Sequence, residues 1–157
     1  MTQKRAWMDE AVQLSQDNLQ SGEGGPFGAV IVQNGQIIAR GNNRVTSNND
    51  PTAHAEIVAI REACQALGTF VLEGCEIYTS CEPCPMCLGA IYWSRLDKIY
   101  YANTRHDAAA IGFDDAFIYQ EIEKSLSQRR LPLEHVVHEK ALAVFQRWQE
   151  KQDKIEY

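Results

Sequence analysis

The sequence has no apolar run of the length that a membrane span requires, and no signal peptide is predicted at its start. Positive charge is also scarce, because 15 lysine and arginine residues are outnumbered by 21 acidic residues and the formal net charge is −6. Such a chain lacks the broad positive field that provides most sequence-independent affinity for nucleic acid. We therefore expect neither a membrane nor a polynucleotide as its partner.

Cysteine is the next scarce residue type, with five in 157 residues, three of which lie between positions 81 and 87. An odd, clustered set favours metal binding in a reducing compartment over disulfide bonds, so a cytoplasmic location is expected. The hydrophobic share of 45% and the charged share of 23% are those of an ordinary globular domain. The length predicts one domain over residues 1–157 that folds without disulfide bonds.

Apolar periodicity and turn residues predict an α/β fold. Helices are predicted over residues 5–20, 51–67, 83–93, 114–124 and 140–153, strands over 27–32, 36–40, 75–79, 98–102 and 134–138, and loops over 41–49 and 108–112. Asn34-Gly35 between the first two strands is typical of a tight hairpin turn, because both central residues of that turn need positive φ. A hairpin followed by a β-α-β unit predicts a mixed sheet that is covered by helices.

Metal-binding side chains are concentrated in residues 52–56 (TAHAE) and 80–87 (SCEPCPMC). One imidazole and two thiolates provide three zinc ligands and leave the fourth tetrahedral position for water, which is the arrangement of a catalytic site. Cys84 and Cys87 are three residues apart at the start of a predicted helix, so they share a face and their thiolate forms are favoured there. We predict that His54, Cys84 and Cys87 hold one Zn²⁺ ion.

Three other interpretations of the cysteines remain open at this point. Cys81 and Cys84 have the same spacing as Cys84 and Cys87, although a helix start at Pro83 would leave Cys81 at the end of the strand. An iron–sulfur cluster uses a similar run, but the nearby fourth cysteine followed by proline is missing. In the third interpretation, the cysteines bind no metal and are small buried hydrophobic residues.

Glu56 is predicted to carry protons at this site, because it follows the ligand His54 by two residues. Positions two apart on a straight helix point about 200° from each other, so spacing alone does not bring both side chains together. The alternative is an exposed glutamate that is stabilised by the helix dipole.

His54-Ala-Glu56 and Pro83-Cys84-Pro-Met-Cys87 match the H-x-E and P-C-x-x-C signature of the zinc-dependent nucleobase deaminases. Within that superfamily, the sequence most closely resembles the short bacterial guanine deaminases. The resemblance lies in residues 25–32, 49–56, 78–93, 112–115 (GFDD) and the final Glu156-Tyr157.

This resemblance implies a three-layer α/β/α cytidine deaminase-like fold, with a central five-stranded mixed sheet and helices on both faces. It implies a hydrolase that converts guanine, a small purine base, to xanthine and ammonia in purine catabolism, with one zinc ion per subunit. It also implies a homodimer in which residues from about 135 onward are exchanged between subunits, so that Tyr157 lies at the mouth of the partner's pocket.

The same resemblance implies the remaining substrate-binding and catalytic residues. Asn43 binds the edge of the purine ring, Phe27 and Trp93 form apolar walls, and Ala55 also contacts the substrate. Asp115 is implied to receive the amino group or to assist proton transfer. If these residues do not have the implied roles, Asn43 caps a turn, the two aromatic residues belong to the core, and Asp115 caps a helix.

Other activities are consistent with the same zinc motifs. A deaminase acting on adenosine in transfer RNA shares them, although the acidic charge and the GFDD and terminal segments disfavour it. A pyrimidine deaminase and the riboflavin-pathway deaminase domain are weaker candidates. A zinc-stabilised binding module without catalysis would need a fourth protein ligand, and the sequence offers none that pairs convincingly with the three.

Overall fold

The computed structural model describes residues 2–157. Along these residues lie helix α1 (Gln3–Ser21), strands β1 (Gly28–Gln33) and β2 (Gln36–Asn42), helices α2 (Val45–Asn48) and α3 (Ala55–Leu67), strand β3 (Cys75–Cys81), helix α4 (Pro85–Trp93), strand β4 (Lys98–Asn103), helices α5 (Arg105–Ala110) and α6 (Ala116–Glu123), a 3₁₀ turn (Leu126–Gln128) and helix α7 (Glu139–Glu150). The chain divides into two compact units, one ending at Phe117 and the other running from Ile118 to Tyr157.

A single mixed sheet forms the centre of the first unit. Its strand order is β2-β1-β3-β4, with β1 antiparallel to both neighbours and β3 parallel to β4. The hairpin prediction is confirmed, because Asn34 and Gly35 both adopt positive φ, of 50° and 77°. The predicted mixed sheet is confirmed as well.

Helices cover both faces of this sheet, which gives the three predicted layers. Because successive strand residues point to opposite faces, Ala29 and Ile31 contact one apolar cluster while Val30 and Val32 contact the other. The first cluster contains Ala55, Ala59 and Ala63 of α3 and Ile91 of α4. The second is closed by Trp7, Met8 and Leu14 of α1.

The prediction of five strands is wrong, because the sheet formed by residues 2–157 has four. Residues 134–138, which were expected to form a strand, are irregular and exposed. Their β-branched residues favour extended backbone, but a strand also needs a neighbour to pair with and a face to bury. Helix α2 lies within the loop predicted over 41–49, and α5 extends into the loop predicted over 108–112. The capping box of Thr104 and Asp107 explains the start of α5.

Three helices begin later than predicted, and one of them is α6, which begins at Ala116. Local contacts explain the other two. Asp50 Oδ1 accepts hydrogen bonds from the Thr52 backbone nitrogen (2.8 Å) and hydroxyl (2.6 Å), so residues 50–52 form a turn and α3 begins at Ala55. Cys84 precedes Pro85 and is therefore held in extended backbone, so α4 begins at Pro85, not at Pro83. Among residues 2–157, we find no helix with the length and apolar character to cross a membrane.

Candidate active site

The predicted metal ligands lie where β3 ends and where α3 and α4 begin. His54 and Cys84 are the N-cap residues of these two helices, both in extended backbone, and Cys87 lies in the first turn of α4. A close contact of β2 with α3 fixes this arrangement, because a Cβ atom on Gly41 would lie 2.1 Å from the Ala55 carbonyl oxygen. Only glycine allows the start of α3 to approach the sheet so closely.

The three ligand atoms form a nearly equilateral triangle. His54 Nδ1 lies 3.5 Å from Cys84 Sγ and 3.4 Å from Cys87 Sγ, and the two sulfur atoms are 3.6 Å apart. Tetrahedral zinc bonds of about 2.3 Å to sulfur and about 2.0 Å to nitrogen place such atoms about 3.5–3.8 Å apart. The geometry and the donor set therefore fit a zinc ion with three protein ligands.

Hydrogen bonds distribute charge unequally between the two sulfur atoms. The hydrogen bond between the two sulfur atoms, together with the His54 imidazole, lowers the pKa of Cys84 to about 4. The same hydrogen bond, together with burial, raises the pKa of Cys87. Contact with Cys84 also raises the pKa of His54. Cys84 is therefore a thiolate at neutral pH, which is the form that binds a metal ion.

Cys81 lies outside this triangle. Its thiol donates to the Thr104 carbonyl oxygen at 3.7 Å, and burial raises its pKa to about 11. A neutral thiol in that hydrogen bond is not arranged as a ligand. The structure therefore groups Cys84 with Cys87, not with Cys81, around His54.

Glu56 is buried beside the ligand triangle, with 6% of its surface exposed. Because His54 precedes α3 in extended backbone, the helical angle between positions two apart does not separate the two side chains. Glu56 Oε2 accepts a hydrogen bond of 3.4 Å from the Cys87 thiol. Burial raises the pKa of Glu56. The interpretation of this residue as an exposed glutamate is therefore wrong.

Asp115 carries an orphaned polar atom, since its Oδ1 is buried without a hydrogen-bond partner in residues 2–157. Burial raises the pKa of Asp115, and the negative charge of Cys84 acts in the same direction. At the start of α6, the neighbouring Asp114 accepts a hydrogen bond from the Ala116 backbone nitrogen through its Oδ1, at 3.1 Å. The Asp115 Oδ1 atom is an acceptor that a further donor can use.

Asn43 and Phe27 occupy neighbouring positions in the first unit. Asn43 is buried, and its side-chain oxygen accepts hydrogen bonds from the backbone nitrogens of Gly25 (3.2 Å) and Val45 (3.1 Å). Phe27 is partly buried against the α3 side of the core and meets Phe113 edge to face, with ring centroids 4.9 Å apart. Asn43 thus does organise a turn, while its amide NH₂ group is left to donate elsewhere.

The remaining predicted site residues differ in exposure. Ala55 is fully buried as the first residue of α3. Trp93 is the last residue of α4 and is 63% exposed. Tyr157 is exposed at the end of the second unit.

Sequence reasoning missed several residues that support the site. The buried Thr79 hydroxyl lies 3.4 Å from Glu56 Oε1 and 3.0 Å from the Cys81 carbonyl oxygen. Glu82 accepts from the Arg105 guanidinium at 2.6 Å and 3.0 Å and from the Arg105 backbone nitrogen at 3.0 Å. These contacts join the segment before Cys84 to the start of α5. In the sequence, the acidic residue Glu82 directly before Pro83 was the feature that could have indicated such a contact.

Comparison with known proteins agrees with this geometry. Residues 1–103 match the family model described as the cytidine and deoxycytidylate deaminase zinc-binding region. A guanine deaminase of Bacillus subtilis (strain 168) is 53% identical over 151 residues, which cover 96% of this chain and 97% of that protein. The X-ray structure of guanine deaminase from Bacillus subtilis superposes with a TM-score of 0.95 at 52% identity, covering 98% of each chain.

A second relative matches a shorter part of the chain. The tRNA-specific adenosine deaminase of the same Bacillus subtilis strain is 46% identical over 101 residues, which cover 64% of this chain and 62% of that protein. The chain therefore belongs to the zinc-dependent cytidine and deoxycytidylate deaminase family. Members of this family are hydrolases of C–N bonds, and the predicted zinc dependence is confirmed by the matching zinc-binding region and the ligand triangle.

Proposed function

We propose that this chain is a guanine deaminase, which hydrolyses guanine to xanthine and ammonia. The observation that carries the proposal is the extent of the match to the Bacillus subtilis guanine deaminase, which covers 96% of this chain. The match to the tRNA-specific adenosine deaminase covers 64%. Likeness to guanine deaminase thus extends well beyond the zinc motifs that all these enzymes share.

We assign the zinc ligands to His54, Cys84 and Cys87, whose atoms lie 3.4–3.6 Å apart. When bound, zinc lowers the pKa of a coordinated water from about 15.7 towards about 7. The lowered pKa of Cys84 prepares one sulfur for binding. Loss of the Cys87 thiol proton on binding also frees the Glu56 carboxylate from its hydrogen bond to that thiol.

Glu56 is the proposed proton carrier. Its carboxylate takes a proton from the attacking water, which adds to C2 of guanine, the carbon that bears the amino group. Glu56 gives that proton to the adjacent ring nitrogen. It then takes the proton of the new hydroxyl group on C2 and passes it to the amine, which leaves as ammonia as the C2–N bond breaks and the C2 carbonyl forms. One buried carboxyl group with a raised pKa holds and releases a proton readily, so the same residue serves as base and acid.

Different observations support each of the proposed substrate-binding roles. The NH₂ group of Asn43 is proposed to donate to an acceptor on the purine edge, because its oxygen is already used by two backbone nitrogens. Phe27 and Trp93 are proposed as walls for the base, and Ala55 as a further contact. The unpartnered Asp115 oxygen is proposed to receive the substrate's amino group, since a buried acceptor gains a hydrogen bond there.

We further propose that residues 1–157 function as one domain in a homodimer. The second unit has 40 residues, from Ile118 to Tyr157, and none of them is buried. So short a segment without a core does not fold alone, and its exposed apolar residues favour exchange with a second copy. Tyr157 would then reach the partner's pocket. Five free cysteines support a reducing cytoplasm, where hydrolysis of guanine would be a step of purine catabolism.

The proposal is tested by measuring ammonia release from guanine, adenine, cytosine, their nucleosides and transfer RNA, with the zinc content determined on the same preparation. We expect turnover of guanine well above that of every other compound. Deamination of adenosine in transfer RNA, without turnover of guanine, would replace the proposal by the tRNA deaminase activity that the second relative carries. A full zinc equivalent without any ammonia release would favour a binding module.

A further inference from the structure

Helix α1 contains a polar residue that is almost completely buried. Asn18 has 2% of its surface exposed, and the only other buried residue of α1 is Ala11. A buried amide costs free energy unless its donors and acceptor are all paired. The surroundings of Asn18 therefore show what this residue is for.

All the polar groups of the Asn18 side chain are paired. Its NH₂ group donates to the carbonyl oxygens of Gly25 (2.9 Å) and Asn43 (2.7 Å). Its Oδ1 accepts from the Asn42 side-chain amide at 2.7 Å. The orientation of the amide is fixed, because the reverse orientation would place an oxygen against two carbonyl oxygens.

These hydrogen bonds complete a closed ring between two segments of the site. The Gly25 backbone nitrogen donates to Asn43 Oδ1 at 3.2 Å, and the Asn43 backbone nitrogen donates to the Phe27 carbonyl oxygen at 3.1 Å. Asn18 bonds the carbonyl groups of both segments and so closes the ring from the helix side. The segments that carry Phe27 and Asn43 are thereby held to each other and to α1.

The ring is also tight. A Cβ atom on Gly24 would lie 2.2 Å from Asn43 Oδ1 and 2.4 Å from the Asn43 carbonyl oxygen, so only glycine fits at that position. With its oxygen held by Gly25 and Val45, the Asn43 amide has one orientation, and its NH₂ group points in one direction. Among residues 2–157, Asn18 is the only residue whose side chain donates a hydrogen bond to the Asn43 carbonyl oxygen. Removal of the Asn18 amide would therefore leave that carbonyl group without a side-chain partner.

We propose that Asn18 is a positioning residue for substrate recognition, which aims the Asn43 NH₂ group at an acceptor on the purine ring. The inference rests on the proposed function, because it requires Asn43 to bind the purine edge. Asn18 itself touches no substrate. Its effect is on the binding of guanine through Asn43, so its loss raises KM more than it lowers kcat.

The test uses two variants of the full chain, each of a size similar to asparagine. Asn18→Leu removes all hydrogen bonds, and Asn18→Asp keeps the acceptor for Asn42 but loses the two donors. Ala11→Gly is the matched control, because it weakens the same helix at its other buried residue without touching the ring. Zinc content and Tm are measured for all three.

The readout is steady-state ammonia release from guanine, 2-aminopurine and 7-deazaguanine. All three keep the amino group at C2, but 2-aminopurine lacks the O6 acceptor and 7-deazaguanine lacks the N7 acceptor. We expect each Asn18 variant to bind zinc fully and to show a rise of about tenfold in the KM for guanine, which is the effect of losing one aligned hydrogen bond. The preference of the wild type for guanine over one analogue should shrink by a similar factor, whereas Ala11→Gly should keep that preference.

Each other result overturns the inference. Equal losses on all three purines, or loss of zinc by both variants, would mean that Asn18 only stabilises the fold. A wild-type protein that does not distinguish guanine from either analogue would mean that Asn43 donates to neither acceptor. If the wild-type protein releases no ammonia from guanine at all, the proposed function itself fails and this inference falls with it.

Discussion

The two units of the chain differ in what they bury. The first has an apolar cluster on each face of its sheet, and the candidate ligands lie at the edge of one of these layers. None of residues 118–157 is buried, although α7 carries Leu142, Phe145 and Trp148 at helical spacing. An amphipathic helix stabilises a protein only where its apolar side is covered.

The two units differ in what they require. The metal site needs only residues of the first unit, whose elements fix one another through contacts such as the Glu82–Arg105 pair. The second unit exposes apolar surface that a single chain leaves in water, which is the reason for proposing a second copy there. Changes in the first unit should therefore remove metal or chemistry, and changes in the second should alter assembly.

The largest effect is expected for Cys84→Ala. Removal of one of three ligands should abolish both zinc binding and ammonia release, because the thiolate that prepares the site for metal is lost. Cys81→Ala is the matched control, since its thiol is bonded to the Thr104 carbonyl group outside the triangle. Zinc per chain, measured by inductively coupled plasma mass spectrometry, should be near zero in the first variant and one in the second. Loss of zinc from both variants would move the ligand pair to Cys81 and Cys84, and a full zinc equivalent in Cys84→Ala would remove Cys84 from the ligand set.

The next largest effect is expected for Glu56→Gln. The amide keeps the size of the side chain but cannot accept and return a proton, so kcat should fall about 1,000-fold. Zinc content should be unchanged, because Glu56 is not one of the three ligands. Glu62→Gln, an exposed position on the same helix, should keep full activity. Turnover by Glu56→Gln within about tenfold of wild type would remove Glu56 from proton transfer.

Local spacing predicted the metal group well, because the chain itself keeps Cys84 within one helical turn of Cys87. The predicted helix start at Pro83 was nevertheless wrong, since Pro85 forces Cys84 into extended backbone. That same constraint places the Cys84 sulfur beside His54. The arrangement of His54 and Glu56 was likewise invisible in their spacing, because it depends on the residue at which α3 begins.

Contacts between distant segments account for what the sequence did not predict. Asn18 looks like an ordinary polar residue of a surface helix, and its partners lie 7 and 25 residues away along the chain. The predicted strand over residues 134–138 fails for a related reason. Its residue types favour extended backbone, but pairing depends on a neighbour that local sequence does not specify.

The smallest effect on chemistry is expected for Phe145→Asp. The same variant tests what covers the second unit. Phe145 is 75% exposed in the single chain, so a charge there costs little unless a second copy buries it. Arg147→Asp introduces the same side chain about 200° around the helix and is the matched control. By light scattering after size exclusion, Phe145→Asp should be a monomer while Arg147→Asp and the wild type are dimers. The monomer should keep its zinc, whose ligands all lie in the first unit, but turn over guanine more slowly because the partner's tail is missing. If Phe145→Asp remains dimeric, the apolar side of α7 is not the dimer interface.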